Sequence, residues 1–191
     1  MHALIFKSNN NIVTLLIEAE KIKPPKELLY SHTQHKRKIW GMTALMYTDD
    51  ENSEVVDMII NAKTDIDLLD NVGRTELMYA CHEGRTDLVS KLLGRKANPN
   101  IQDNEGKTAL MYALEVGDMW MRGTIERENI PVMLIDASAD PTKSDINGKT
   151  TLMYAAESGN DKIVKRLIDA SADPNKSDKN GKTTLMYAAE S

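Results

Sequence analysis

The 191-residue chain has little aromatic bulk: aromatic residues make up 5% of it, with a single Phe and two Trp. With hydrophobic residues at 41%, this excludes one large aromatic-packed core and points to many small apolar contacts. A single cysteine, Cys81, excludes an internal disulfide. The chain has no apolar stretch long enough to span a bilayer and no signal-peptide core at its N-terminus, so a soluble, reducing compartment is expected. An excess of base is also missing. Acidic residues outnumber basic ones 29 to 24, a formal net charge of -5, which removes any global field for nucleic acid or an anionic membrane.

Sequence patterns for enzyme chemistry are equally scarce. No glycine loop of the P-loop, dinucleotide-binding or kinase kind is present. His2, His32, His35 and His82 are scattered, and His32-x-x-His35 lacks the acidic or cysteine companions of a metal site. The recurring Asp-x-Asn-Gly is half of a calcium loop without its glutamate, and turn chemistry explains it. Cys81 replaces a small helix alanine and reads as a buried thiol. No cofactor, metal or small-molecule substrate is expected.

What the chain does have is self-similarity. Thr-x-Leu-Met-Tyr begins at Thr43, Thr75, Thr108, Thr150 and Thr183, in steps of 32, 33, 42 and 33 residues. Residues 136–158 and 169–191 differ only at Thr142/Asn175 and Ile146/Lys179. Within one unit, Asp145-Ile146-Asn147-Gly148 is a turn whose glycine is free to take positive φ, with equivalents at Gly41, Gly73, Gly106 and Gly181. Thr150 is placed to cap a first helix carrying Leu152, Met153, Ala155 and Ala156 on its inner side. That helix ends at Gly159. A second helix is predicted over Asn160 to Ala170, with Ile163, Val164, Leu167 and Ile168 forming one buried stripe, stopped by Ala172-Asp173-Pro174. Neither helix can bury its stripe alone, so neighbouring units must stack.

Over residues 40–191 this order of finger turn, Thr-capped helix, Gly, second helix and Ala-Asp resembles the ankyrin-repeat family. The resemblance implies an all-α ankyrin-repeat solenoid of stacked helix-turn-helix units with hairpin-like fingers. Units are expected at 39–69, 70–102, 103–144, 145–177 and an incomplete 178–191. The family's Pro is replaced by Ala44, Glu76, Ala109, Thr151 and Thr184. Its His is replaced by Met46, Met78, Met111, Met153 and Met186, so flexible apolar packing should take over from the family's Thr–His hydrogen bonding. The family's Gly after the second helix is Lys63, Lys96, Ser138 and Ser171, which should hold a left-handed backbone at a cost of about 1 kcal/mol each. The wording Thr-x-Leu-Met-Tyr-Ala-Ala-Glu-Ser-Gly is similar to ankyrin-only and ankyrin-kinase proteins of diplomonad protists. Without a kinase glycine loop here, any kinase would have to lie on another chain or in a missing segment.

Residues 1–38 read as a degenerate N-terminal capping repeat and a long basic finger. Between residues 21 and 41, Lys21, Lys23, Lys26, Lys36, Arg37 and Lys38 face only Glu27, a field that either docks an acidic partner, serves as an import signal, or marks a solvated loop. The chain stops at Ser191, after the first helix of the last unit; it is a fragment, or that terminus frays or pairs. About nine extra residues fall within an insertion at 118–129. Its Met119, Trp120 and Met121 form a second partner contact, or Trp120 folds back over helix ends.

The family's habit of binding proteins across the concave face made by finger tips and the outer side of the first helices implies a partner-binding set. By motif position it comprises Ile39, Trp40, Met42, Asn71, Val72, Arg74, His82, Glu83, Asn104, Glu105, Lys107, Glu115 and Val116. The last two units add Ile146, Asn147, Lys149, Glu157, Ser158, Lys179, Asn180 and Lys182. Trp40 and Arg74 are the expected anchors. Tyr47, Tyr79, Tyr112, Tyr154 and Tyr187 should form a ladder along the first helices, mainly as packing, with a hydroxyl edge open to a ligand. The function implied is a non-catalytic, cytoplasmic adaptor or scaffold, cytoskeleton-associated by family habit. The alternative is a regulatory or targeting subunit of a separate enzyme such as a protein kinase.

Overall fold

The computed structural model describes Asp57, Ile60, residues 65–115 and residues 125–190, with the side chains of 125–128 excepted. Seven helices run through the described residues: α1 (Glu76–Glu83), α2 (Thr86–Gly94), α3 (Ala109–Leu114), α4 (Ile125–Asp136), α5 (Thr151–Glu157), α6 (Asp161–Asp169) and α7 (Thr184–Glu190). Helices α1, α3, α5 and α7 pack in sequence as a row of first helices. Each of α2, α4 and α6 packs beside the first helix of its own unit. Among the described residues there is no strand; paired backbone is confined to isolated antiparallel bridges at Ser144/Thr150 and Ser177/Thr183, at the finger bases. This is the expected all-α solenoid.

The first helices start where a threonine can cap them. Thr75, Thr108 and Thr150 sit in extended backbone, and each hydroxyl accepts the N–H of the methionine three residues on. The methionines depart from the purely apolar role expected of them. The backbone N–H of Thr75 donates to Met78 Sδ at 3.5 Å, and that of Thr150 to Met153 Sδ at 3.4 Å. A thioether therefore closes the capping box that a glutamate ordinarily closes, as a weak but buried acceptor.

The second helix of the fourth unit spans Asp161–Asp169 between its caps Asn160 and Ala170, with Asn160 Oδ1 accepting the Ile163 N–H. Ile163 and Leu167 are buried and Val164 is half-buried, but Ile168 is 45% exposed, which corrects its placement in the buried stripe. Helix α4 begins at Ile125, so its first turn occupies the end of the 118–129 segment; Met119, Trp120 and Met121 lie outside the described residues.

Three units end as the substituted glycines predict, and Lys63 lies outside the described residues. Lys96, Ser138 and Ser171 hold φ of 63°, 66° and 72°. The next residue turns inward: Ala97, Ala139 and Ala172 are buried, and their N–H groups bond back to Leu92, Leu134 and Leu167 carbonyls. The main core cluster is mostly aliphatic and runs from Ile60 to Ala172, and Met153, Ala156 and Tyr187 form a second one.

Candidate protein-binding surface

Each finger is built on one aspartate. Asp70, Asp103, Asp145 and Asp178 are all buried. In each, Oδ1 accepts the N–H groups two and four residues ahead at 2.8–2.9 Å, as Asp145 does from Asn147 and Lys149. The remaining oxygen, Oδ2, accepts the hydroxyl of the tyrosine nine residues on: Tyr79 at 2.9 Å, Tyr112 at 2.7 Å, Tyr154 at 3.0 Å and Tyr187 at 2.9 Å. One carboxylate thus fixes the turn and ties it to the first helix. The tyrosine ladder exists in these four units, but its hydroxyls are committed to the fingers, which corrects the expectation of a free edge for a ligand. Burial, then the aspartate bond, pushes the Tyr187 hydroxyl up to about 12, and desolvation raises Tyr79, Tyr112 and Tyr154 further.

The cation closing each finger is held over the same rings. Lys149 Nζ lies 4.2 Å from the Tyr154 ring centroid and 4.6 Å from that of Tyr187 in the next unit, while bonding Glu157 at 2.6 Å. Lys107 pairs with Glu115 and Lys182 with Glu190 in the same way, each at 2.7 Å. Desolvation works to lower the Lys107 pKa, but its bonds to Glu115 and Glu105 outweigh it and the net shift is upward. The second unit differs. Arg74 turns back on Asp70 at 3.0 Å and stacks on Tyr79 at 4.4 Å, and His82 occupies the place of the glutamate, edge-on to Tyr112.

Main-chain bonds join adjacent fingers. The N–H after each aspartate donates to the carbonyl of the preceding finger: Asn104 to Val72 at 3.0 Å, Ile146 to Glu105 at 2.8 Å, and Lys179 to Asn147 at 2.8 Å. Glycine is required at this approach. A Cβ on Gly106, whose φ is 75°, would lie 2.9 Å from Ile146 N.

The anticipated set therefore falls on one row where it is described. Asn71, Val72, Asn104, Glu105, Ile146, Asn147, Lys179 and Asn180 are exposed finger tips; Arg74, Lys107, Lys149 and Lys182 are partly covered at the finger bases. His82 and Glu83 end α1, Glu115 and Ser158 are the C-caps of α3 and α5, and Glu157 is the last residue of α5. Ile39, Trp40, Met42 and Val116 lie outside the described residues. The aspartate–tyrosine links and Glu190 were missed, although the nine-residue Asp-to-Tyr spacing recurs in all four units and is readable as text.

A row of capped helix pairs with linked fingers defines a class of stacked-repeat binding scaffolds. Within that class, the model of ankyrin repeats matches in three copies, over residues 1–103, 48–121 and 125–191, and the chain belongs to the ankyrin-repeat family. Members of this family are general protein–protein interaction modules and typically non-catalytic. None of the curated proteins compared with the chain matches it. No helix among the described residues is long and apolar enough to cross a membrane.

Proposed function

We propose that the chain is a non-catalytic adaptor or scaffold that binds one protein across its finger tips and the C-terminal ends of its first helices. The supporting observation is the pairing of a repeated, rigid frame with tips that differ from unit to unit. Lys107, Lys149 and Lys182 are each already held between a carboxylate and a tyrosine face, so little freedom of these side chains is lost on binding. The tips Val72, Glu105, Ile146 and Lys179 then set specificity, and Arg74 is the anchor among the described residues. Trp40, Met119, Trp120 and Met121 extend this proposal beyond them. A net charge of -5 argues against nucleic acid as the ligand, and the setting we propose is cytoplasmic, with cytoskeletal association.

The test is affinity capture with two multiple-alanine variants. One changes Arg74, Ile146 and Lys179 on the finger side, and the other changes Lys162 and Lys165, which are exposed on α6. The proposal requires a partner lost from the first and kept by the second; the reverse pattern would place binding on the second-helix side. The resemblance of Thr-x-Leu-Met-Tyr-Ala-Ala-Glu-Ser-Gly to ankyrin-kinase proteins prompts a second reading, a regulatory or targeting subunit of a separate enzyme such as a kinase, which requires a catalytic chain among the captured proteins.

A further inference from the structure

The fourth and fifth fingers each carry an Asn-Gly pair, and the twelve residues from Asn147 to Ser158 recur unchanged from Asn180 to Ser191. Asparagine before glycine is open to attack by the next backbone nitrogen on its own carboxamide, because glycine places no side chain in the way. Both asparagines are exposed. The two glycines have φ of 79° and 80°, and each donates its N–H to its finger aspartate carbonyl at 3.0 Å. The sites differ in their neighbours. The Asn147 carbonyl accepts the Lys179 N–H at 2.8 Å. Lys179 N also stands 3.3 Å from where a Gly148 side chain would begin, whereas nothing lies within 4 Å of that point on Gly181.

We infer that Asn180 and Asn147 are spontaneous deamidation sites of unequal rate, with Asn180 converting first and the finger-to-finger bond at Asn147 acting as the brake. The glycine nitrogen, its proton taken by solvent base, bonds to the asparagine Cγ. The bond from Cγ to the side-chain nitrogen breaks and ammonia leaves, giving a succinimide. Water then opens the ring at either carbonyl to yield aspartate or isoaspartate, and is the only co-reactant. Ring closure requires the glycine N–H to be released from the aspartate carbonyl, so it proceeds from a finger that has opened locally. Turning the Asn147–Gly148 peptide out of place breaks the Gly148 N–H and the Lys179 N–H bonds, whereas turning the Asn180–Gly181 peptide breaks the Gly181 N–H bond, and the one extra bond lowers the open population about five-fold. Isoaspartate at Asn147 reroutes the main chain through the former side chain and converts the carbonyl that holds Lys179 into a free carboxylate. That product therefore carries a new negative charge on the finger row and a displaced acceptor for the Lys179 N–H of the last unit.

The test uses the full chain held at mildly alkaline pH, with both sites quantified over time by tryptic peptide mass spectrometry, and a parallel sample in concentrated urea. The expected result is conversion at Asn180 about five-fold faster than at Asn147 in the folded chain, with the rates converging in urea because the residues from each asparagine onward are identical. A Lys179→Pro variant, which lacks the donating N–H, should raise the Asn147 rate to that of Asn180 with the helical circular dichroism unchanged. Equal rates in the folded wild type, a faster Asn147, or no conversion at either site while both convert in urea would each overturn the inference.

Discussion

Replacing Asp145 with alanine tests the idea that one carboxylate holds each finger to its helix. The side chain accepts the N–H groups of Asn147 at 2.8 Å and Lys149 at 2.9 Å, and the Tyr154 hydroxyl at 3.0 Å. Tyr154 is only 4% exposed, so Asp145→Ala leaves its hydroxyl buried without an acceptor, at about 2 kcal/mol. The two finger amides can reach water, and their loss adds about 1 kcal/mol each. The sum is about 4 kcal/mol, equivalent to roughly 8–16 °C in melting temperature for a chain of this size. Tyr154→Phe removes the donor alone and should cost about 1–2 kcal/mol, and the double variant should fall short of additivity by a similar amount. Urea denaturation followed by circular dichroism gives the global cost. Amide hydrogen exchange at Asn147 and Lys149 gives the local one, which matters because repeat arrays can open unit by unit. An Asp145→Ala chain within about 0.5 kcal/mol of wild type, or a Tyr154→Phe cost unchanged when Asp145 is absent, would refute the reasoning.

Three further outcomes are expected. Lys96→Gly, Ser138→Gly and Ser171→Gly should each stabilise the chain by about 0.5–1 kcal/mol in thermal melts, because glycine adopts the observed left-handed backbone without a Cβ penalty. Thr142→Asn should gain about 1 kcal/mol. Asp67 and Asn100 at the equivalent positions accept the N–H groups of Asn98 and Asp140 in the next unit, whereas the Thr142 hydroxyl is turned onto its own unit's Asp140 at 2.6 Å. The gain should appear together with slowed exchange of the Asp173 amide. The tyrosines also predict a loss of stability at high pH. Unfolded tyrosines ionise near 10.0 while folded Tyr187 keeps its proton to about 12, so the unfolded chain releases protons first and stability falls as pH rises above 10. A Tyr112→Phe/Tyr154→Phe chain should show a shallower alkaline decline in its urea midpoint.

Features governed by local rules were legible in the sequence. The second helix of the fourth unit was expected over 160–170 and spans Asp161–Asp169 between its caps, because Asn160 and the small residues after Asp169 act within a single turn. The left-handed residues were legible for the same reason, being the positions where the family's pattern places glycine. Features that depend on a neighbour were not. Ile168 has the spacing of a core residue but lies where no described unit covers it. Leu152 and Leu185 occupy the same place in identical heptapeptides, yet one is fully buried and the other 78% exposed. The capping methionines were missed because their sulfur was weighed as apolar bulk. The lysine–glutamate pairs were obscured by Arg74 and His82, which break their recurrence in the second unit. Of the proposed binding set, the sequence placed the described members on one row but did not reveal that Arg74, Lys107, Lys149 and Lys182 are already paired with carboxylates of the chain.

The main-chain bond between fingers also bears on how such a chain can lengthen. Its donor and acceptor belong to every residue type except a proline donor, so a duplicated unit arrives already able to join the row, with no matching change needed in its neighbour. The near-copies at 136–158 and 169–191 fit that mode of growth. One of their two differences, Ile146 against Lys179, sits at a tip whose backbone makes the link while its side chain faces outward. Mutation can therefore explore new recognition chemistry at the tips while the means of assembly is inherited intact.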